Sequence, residues 1–120
     1  MRTHKDLLVW QDGISLVTRI YEITRSFPKD ERYGLINQMR RCSISIPSNI
    51  AEGGARQSTK EFIHYLHISL GSCMELDTQL RIARNLDFLK EDAFKELNEQ
   101  NSSIGKMING LINSLKNRSG

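Results

Sequence analysis

The chain has 120 residues, among them 17 Lys plus Arg, 14 Asp plus Glu, two Cys, two Pro and one Trp. That length suits a single domain, residues 1–120, that buries a core without disulfides or a structural metal. No uncharged apolar run approaches the ~18 residues of a membrane helix, and no signal-peptide core follows the polar start Met1 to Asp6. Two cysteines make no disulfide framework, so the expected setting is reducing and cytoplasmic, away from membranes. A net charge of +3 permits an acidic partner such as RNA without requiring one.

Four blocks carry apolar residues at helical spacing. The first steps by fours and threes through Val9, Gly13, Leu16, Ile20, Ile23 and Phe27. Pro28 disfavours a helical conformation at Phe27, so this helix is expected over roughly residues 5–26. Beside its core stripe runs a second one, Trp10, Ile14, Val17 and Tyr21. Either it widens the core contact, or it faces a neighbouring subunit, since aromatics are enriched at interfaces.

The second helix is expected over 31–54, with Asp30 as its N-cap and Leu35, Met39, Cys42, Ile46 and Asn49 on its stripe. Pro47 lies inside it, removing one N–H and crowding the Ser43 carbonyl. The hydroxyls of Ser43, Ser45 and Ser48 are available to the freed backbone groups, so a kinked, continuous helix is expected over two separate ones. Gly53-Gly54 loosens its end.

Ser58 and Glu61 have capping-box spacing and start a third helix over 59–85, with Phe62, Leu66, Ser69, Cys73, Leu76, Leu80 and Ala83 inward. A turn at Asn85-Leu86-Asp87 leads to a fourth helix over 91–117, opened by Glu91 and Asp92. Its stripe is Phe94, Leu97, Asn101, Ile104, Ile108, Leu111 and Leu115. Helices of ~33–40 Å joined by short loops make an all-α, antiparallel up-down-up-down four-helix bundle with its core in 5–117. The polar stripe residues Asn49, Ser69 and Asn101 need partners across helices, with Glu52, Ser72 and Glu75 nearby.

Little points to catalysis. Glu61 and His64 have the spacing of a di-iron bundle ligand pair, but such a site needs a second pair, and neither His4 nor His67 follows a Glu by three residues. His64 and His67 flank the core position Leu66 and are expected at the surface. Cys42 and Cys73 fall on core stripes and read as small buried hydrophobes. No phosphate-cradling glycine loop is present. The expectation is a non-enzymatic protein without a cofactor or metal.

Residues 1–60 hold ten basic and six acidic residues, net +4, and residues 61–120 hold seven and eight, net −1. Arg40, Arg41, Arg56, Lys60, Arg81 and Arg84 are the candidate phosphate contacts, because guanidinium groups bind phosphate in a bidentate geometry; the alternative is a solvated face with ordinary ion pairs. Aromatics free to stack on bases are scarce, so any nucleic-acid contact would be backbone-directed and salt-sensitive.

The run from Arg40 to Gly53, Arg-Arg-Cys-Ser-Ile-Ser-Ile-Pro-Ser-Asn-Ile-Ala-Glu-Gly, resembles the hallmark of the four-helix-bundle proteins first noted in 23S ribosomal RNA intervening sequences, often labelled ribosomal proteins. Val9-Trp10-Gln11, Phe27 to Leu35, and Gly71 to Leu76 match as well, and the resemblance covers roughly residues 5–117. It implies an up-down bundle that assembles into a ring-like homopentamer. The chain is also similar to the accessory variability protein of diversity-generating retroelements, which implies nucleic acid and a reverse transcriptase as partners. The functional expectation is an oligomeric, nucleic-acid-associated scaffold that binds RNA, with Trp10, Ile14, Val17 and Tyr21 at the subunit interface. The alternative is a protein-interaction adaptor with no nucleic-acid partner.

Overall fold

A computed structural model describes residues 7–119, so His4 and the expected first-helix residues 5 and 6 lie outside it. Four helices, α1 (Leu8–Thr24), α2 (Asn37–Gly54), α3 (Thr59–Asn85) and α4 (Glu91–Ser119), run up, down, up and down. They form a rod of 48 × 23 × 20 Å. Of the four adjacent helix pairs, α2–α3 is the most extensive and α1–α4 the least. One core cluster runs the length of the bundle, with Leu16, Ile20, Met39, Ile46, Ile50, Leu66, Leu76, Leu80, Leu97 and Ile108 fully buried.

Every inward position expected on α3 is buried. On α1 and α4 the stripe drifts at the far end: Thr24 is buried where Ile23 was expected, and Ile112 where Leu111 was, with Ile23 and Leu111 half-buried. A true α-helix turns 3.6 residues per turn, so a strict alternation of threes and fours slips by about 20° per heptad. Thr24 meets burial by donating its hydroxyl to the Ile20 carbonyl at 2.7 Å.

The second helix begins six residues later than expected. Lys29–Glu31 form a 3-10 turn and Arg32–Ile36 a wide π-type turn, inside which Gly34 leaves helical geometry (φ −108°, ψ −113°). Glu31, rather than Asp30, supplies the cap, its carboxylate accepting from the Leu35 N–H at 3.2 Å. From Asn37 the helix runs unbroken through Pro47. Ser43 and Ser45 bond elsewhere than at the carbonyl freed by Pro47: Ser43 donates to the Arg40 carbonyl, and Ser45 Oγ accepts from Asn49 Nδ2 and Ser72 Oγ. Pro47 packs on α1 where Gly13 leaves room, since a β-carbon there would meet the proline ring at 3.3 Å.

Gly53 does not loosen the helix. It lets α3 approach, because a β-carbon on it would stand 2.8 Å from Tyr65 Cβ and 3.2 Å from the Phe62 carbonyl. Ser58 caps α3 by accepting from the Glu61 N–H at 3.0 Å. At the other end Asp87 adopts a left-handed conformation (φ 62°), and the Phe88 N–H reaches back to the Ala83 carbonyl at 2.9 Å. That is a Schellman ending with Asp in the place glycine usually takes. Phe88 then tilts against Phe27 at 5.6 Å, tying the α3–α4 turn to the α1–α2 connection.

The buried polar residues Ser69 and Asn101 find backbone partners rather than the side chains expected, Glu52, Ser72 and Glu75. Ser69 donates to the Ile46 carbonyl at 2.7 Å, and Asn101 to the Cys73 carbonyl at 2.9 Å. Asn49 is only half-buried and bonds Ser45 within its own helix.

Candidate nucleic-acid interface and apolar grooves

The antiparallel course of α2 and α3 separates the six candidate cations into two groups. Arg40 and Arg41 begin α2, and Arg81 and Arg84 end α3, at the same end of the bundle. Arg56 and Lys60 flank the α2–α3 turn at the opposite end, and fourteen residues of helix put Gly54, just before that turn, ~21 Å from Arg40.

Four of the six have intramolecular partners. Arg56 donates to Glu52 Oε2 and Tyr65 Oη, each at 2.8 Å, lies 3.8 Å from Glu61 Oε2, and covers the Tyr65 ring. Arg81 bonds Asp77 at 3.1 Å, and Arg84 stands 3.9 Å from Glu91. Both of these guanidinium groups lie over Phe94, so they do share a face, as their spacing indicates. Arg40 donates Nε–H to Thr24 Oγ1 at 2.9 Å and Nη2–H to the Tyr21 carbonyl at 3.4 Å, and stacks over the Tyr21 ring at 4.5 Å. Arg41 is exposed at a polar groove beside Glu75 and Gln79, and Lys60 is exposed.

Sequence reasoning passed over Arg25, Lys29 and Arg32. The structure gathers them with Arg40 where the α1–α2 connection turns back. Their clustering on both sides of Pro28 was the available signal, but it looks like an ordinary polar loop until the connection is folded.

The second stripe of α1 divides. Trp10, Ile14 and Val17 meet Ile44, Pro47 and Ser48 of α2 in an apolar groove of about 310 Å³, with Ile14 and Ile44 exposed at 44% and 40%. Trp10 also packs partly against the core. Tyr21 is not part of the groove; it lies under Arg40. A second groove of about 310 Å³ lies between α3 and α4, bordered by Leu70, Met74, Gly105 and Lys106. At its base Asn101 is buried, and its Oδ1 has no protein partner. The α1–α2 and α3–α4 grooves are on opposite sides of the bundle.

Cys42 and Cys73 are both buried, and burial pushes each thiol up from 9.0 to about 12, with nearby Glu75 adding to the effect at Cys42. Cys42 donates its S–H to the Ser72 carbonyl at 3.0 Å. Such thiols are poor nucleophiles, since the thiolate is the reactive form. His64 and His67 are exposed, and His64 sits edge-on to Tyr65. Among the described residues no group of three or more His, Cys, Asp or Glu side chains is placed to hold a metal ion. No described helix is long and apolar enough to cross a membrane.

Among curated proteins nothing matches the chain. A crystal structure from Bacteroides thetaiotaomicron, of a protein with unknown function from the S23 ribosomal protein family, superposes with a TM-score of 0.79. It shares 22% identity and covers 88% of this chain and 98% of its own, which shows a common fold. The sequence profile of the 23S rRNA-intervening sequence protein family matches residues 5–110. The chain therefore belongs to the 23S rRNA-intervening sequence protein family.

Proposed function

We propose that the protein is a non-enzymatic, oligomeric scaffold that associates with RNA. The observation that carries this reading is the pair of grooves on opposite sides of one bundle. A head-to-tail contact between two different faces closes into a ring when the rotation closes, whereas a single patch pairs into a dimer. Five subunits are the number implied by the sequence resemblance. Trp10, Ile14 and Val17 belong to one groove, while Tyr21 lies outside it under Arg40. The family's tie to inserted ribosomal RNA segments and the net charge of +3 support RNA as the partner, with Arg40, Arg41 and the Arg81–Arg84 pair, all at one end of the bundle, as contacts. A reverse transcriptase is a further partner by the same resemblance.

A second reading has an observation of its own. Arg56, Arg81 and Arg84 each face an internal carboxylate, which weakens the field they offer to phosphate and favours a protein-binding adaptor. Solution mass and RNA titration separate the two. The scaffold reading expects a mass near five chains at micromolar concentration, reduced to one chain by Ile14→Glu, and RNA affinity that falls steeply as salt rises. A wild-type monomer overturns the oligomer; absent or salt-insensitive RNA binding favours the adaptor.

A further inference from the structure

The end of α1, the connection after it and the start of α2 fold Arg25, Lys29, Arg32 and Arg40 around one cavity of about 230 Å³. Arg25, Lys29 and Arg32 are exposed and form no ion pair within 4.0 Å among the described residues. The acids of the same segment, Glu22, Asp30 and Glu31, do not line the cavity, and Glu31 is occupied with the Leu35 N–H.

Cations also gather at helix C-termini simply to meet the partial negative charge of the last carbonyls. Here that demand is already met. The Ile20 carbonyl accepts from Thr24 Oγ1, Tyr21 from Arg40, Ile23 from Ser26, and Thr24 from the Phe27 N–H. Arg40 is part of that arrangement, and the other three cations are surplus to it.

Arg40 is held before any ligand arrives. Thr24, the Tyr21 carbonyl and the Tyr21 ring fix its guanidinium while engaging two of its five N–H donors. Preorganisation of this kind reduces the ordering cost of binding. Buried Phe27 and Ile36 wall the cavity, and apolar walls strengthen charge interactions by lowering the local dielectric. The volume is below the ~300–1,000 Å³ of drug-sized ligand pockets, so it suits a small group rather than a whole nucleoside.

We propose that this cavity binds a terminal phosphoryl group, presented either as free phosphate or as the 5′-phosphate end of an RNA strand. A terminal phosphate carries close to two negative charges and matches clustered cations better than a singly charged backbone diester. The RNA form rests on the nucleic-acid reading above; the free-phosphate form does not.

The test titrates inorganic phosphate, a 5′-phosphorylated RNA oligonucleotide and the same oligonucleotide ending in a 5′-hydroxyl against the wild-type protein. The expected result is binding of phosphate, and a preference of about tenfold for the phosphorylated over the hydroxyl RNA. The double variant Arg25→Gln/Arg32→Gln, at two exposed positions, should keep the wild-type melting temperature and lose at least about tenfold in affinity for both phosphate-bearing probes. Arg40→Lys, which keeps the charge but loses the planar fork, should weaken both as well. Undetectable phosphate binding, or affinity unchanged in the double variant, overturns the site. RNA binding indifferent to the 5′ group and to both substitutions overturns it too, while leaving the nucleic-acid reading intact. Phosphate binding without RNA binding supports the site and overturns that reading.

Discussion

The two ends of the bundle are both basic, yet their charges are in opposite conditions. At the α2–α3 turn Arg56 is surrounded by Glu52, Glu61 and the Tyr65 hydroxyl, so its charge goes into holding that turn together. At the α1–α2 connection Arg25, Lys29 and Arg32 have no comparable partners among the described residues, and Arg40 is fixed beside them by neutral groups. A count of cations does not register this difference. What a ligand meets is set by the carboxylates each cation faces, which depends on how the connections fold.

The largest effect expected lies between the ends, at the two thiols. Each is neutral in the folded chain up to about 12, against 9.0 when unfolded. The raised values mean that burial of the thiols contributes fully below pH 9 and is lost progressively as pH climbs from 9 toward 12. Chemical denaturation across that range should show stability falling with pH, and Cys42→Ala/Cys73→Ala should flatten the fall. An equal fall in the double variant would remove the thiols from the account. At the phosphate-binding end, Phe27→Ala should cost about 3–5 kcal/mol, because the ring is buried and braces Phe88. At the opposite end, Gly53→Ala should cost about 1–3 kcal/mol by forcing α2 and α3 apart. Urea denaturation measures both. The smallest effects sharpen the contrast most: Arg56→Ala should cost up to about 1 kcal/mol as its exposed pairs are lost, and Arg25→Ala should stay within about 0.5 kcal/mol. Equal losses at the two positions would mean that Arg25 has a structural partner after all.

Much of the fold was legible because apolar spacing reports directly on which helix face is buried. All seven inward positions of α3 were readable from their steps, and so was the cap at Ser58. The exchange of Ile23 for Thr24 and of Leu111 for Ile112 was not, because it accumulates from the small excess of 3.6 over 3.5 residues per turn. The start of α2 was misplaced because Gly34 breaks the helix within a segment whose composition otherwise continues it. Gly53 resembles a helix terminator in sequence, and only the approach of Phe62 and Tyr65 explains its missing side chain. The candidate site was legible in its parts alone. Arg81 and Arg84 share a face as their spacing requires, but the pairing of Arg56, Arg81 and Arg84 with acids depends on helix ends meeting. The cluster of Arg25, Lys29, Arg32 and Arg40 depends on a turn that no periodicity encodes.

Ile14 and Ile44 leave an apolar groove on one side, and Leu70 and Met74 leave one on the other. An assembly that uses both grooves would leave the two ends of each bundle exposed, and charge would then decide which end meets RNA.

The most direct test is RNA affinity measured against salt for two charge-reversal pairs, one at each end. Arg25→Glu/Arg32→Glu should weaken binding by at least about tenfold and flatten the salt dependence, while Arg56→Glu/Lys60→Glu should leave affinity within about threefold. Equal losses from the two pairs, or a larger loss from the Arg56 and Lys60 pair, would contradict the account.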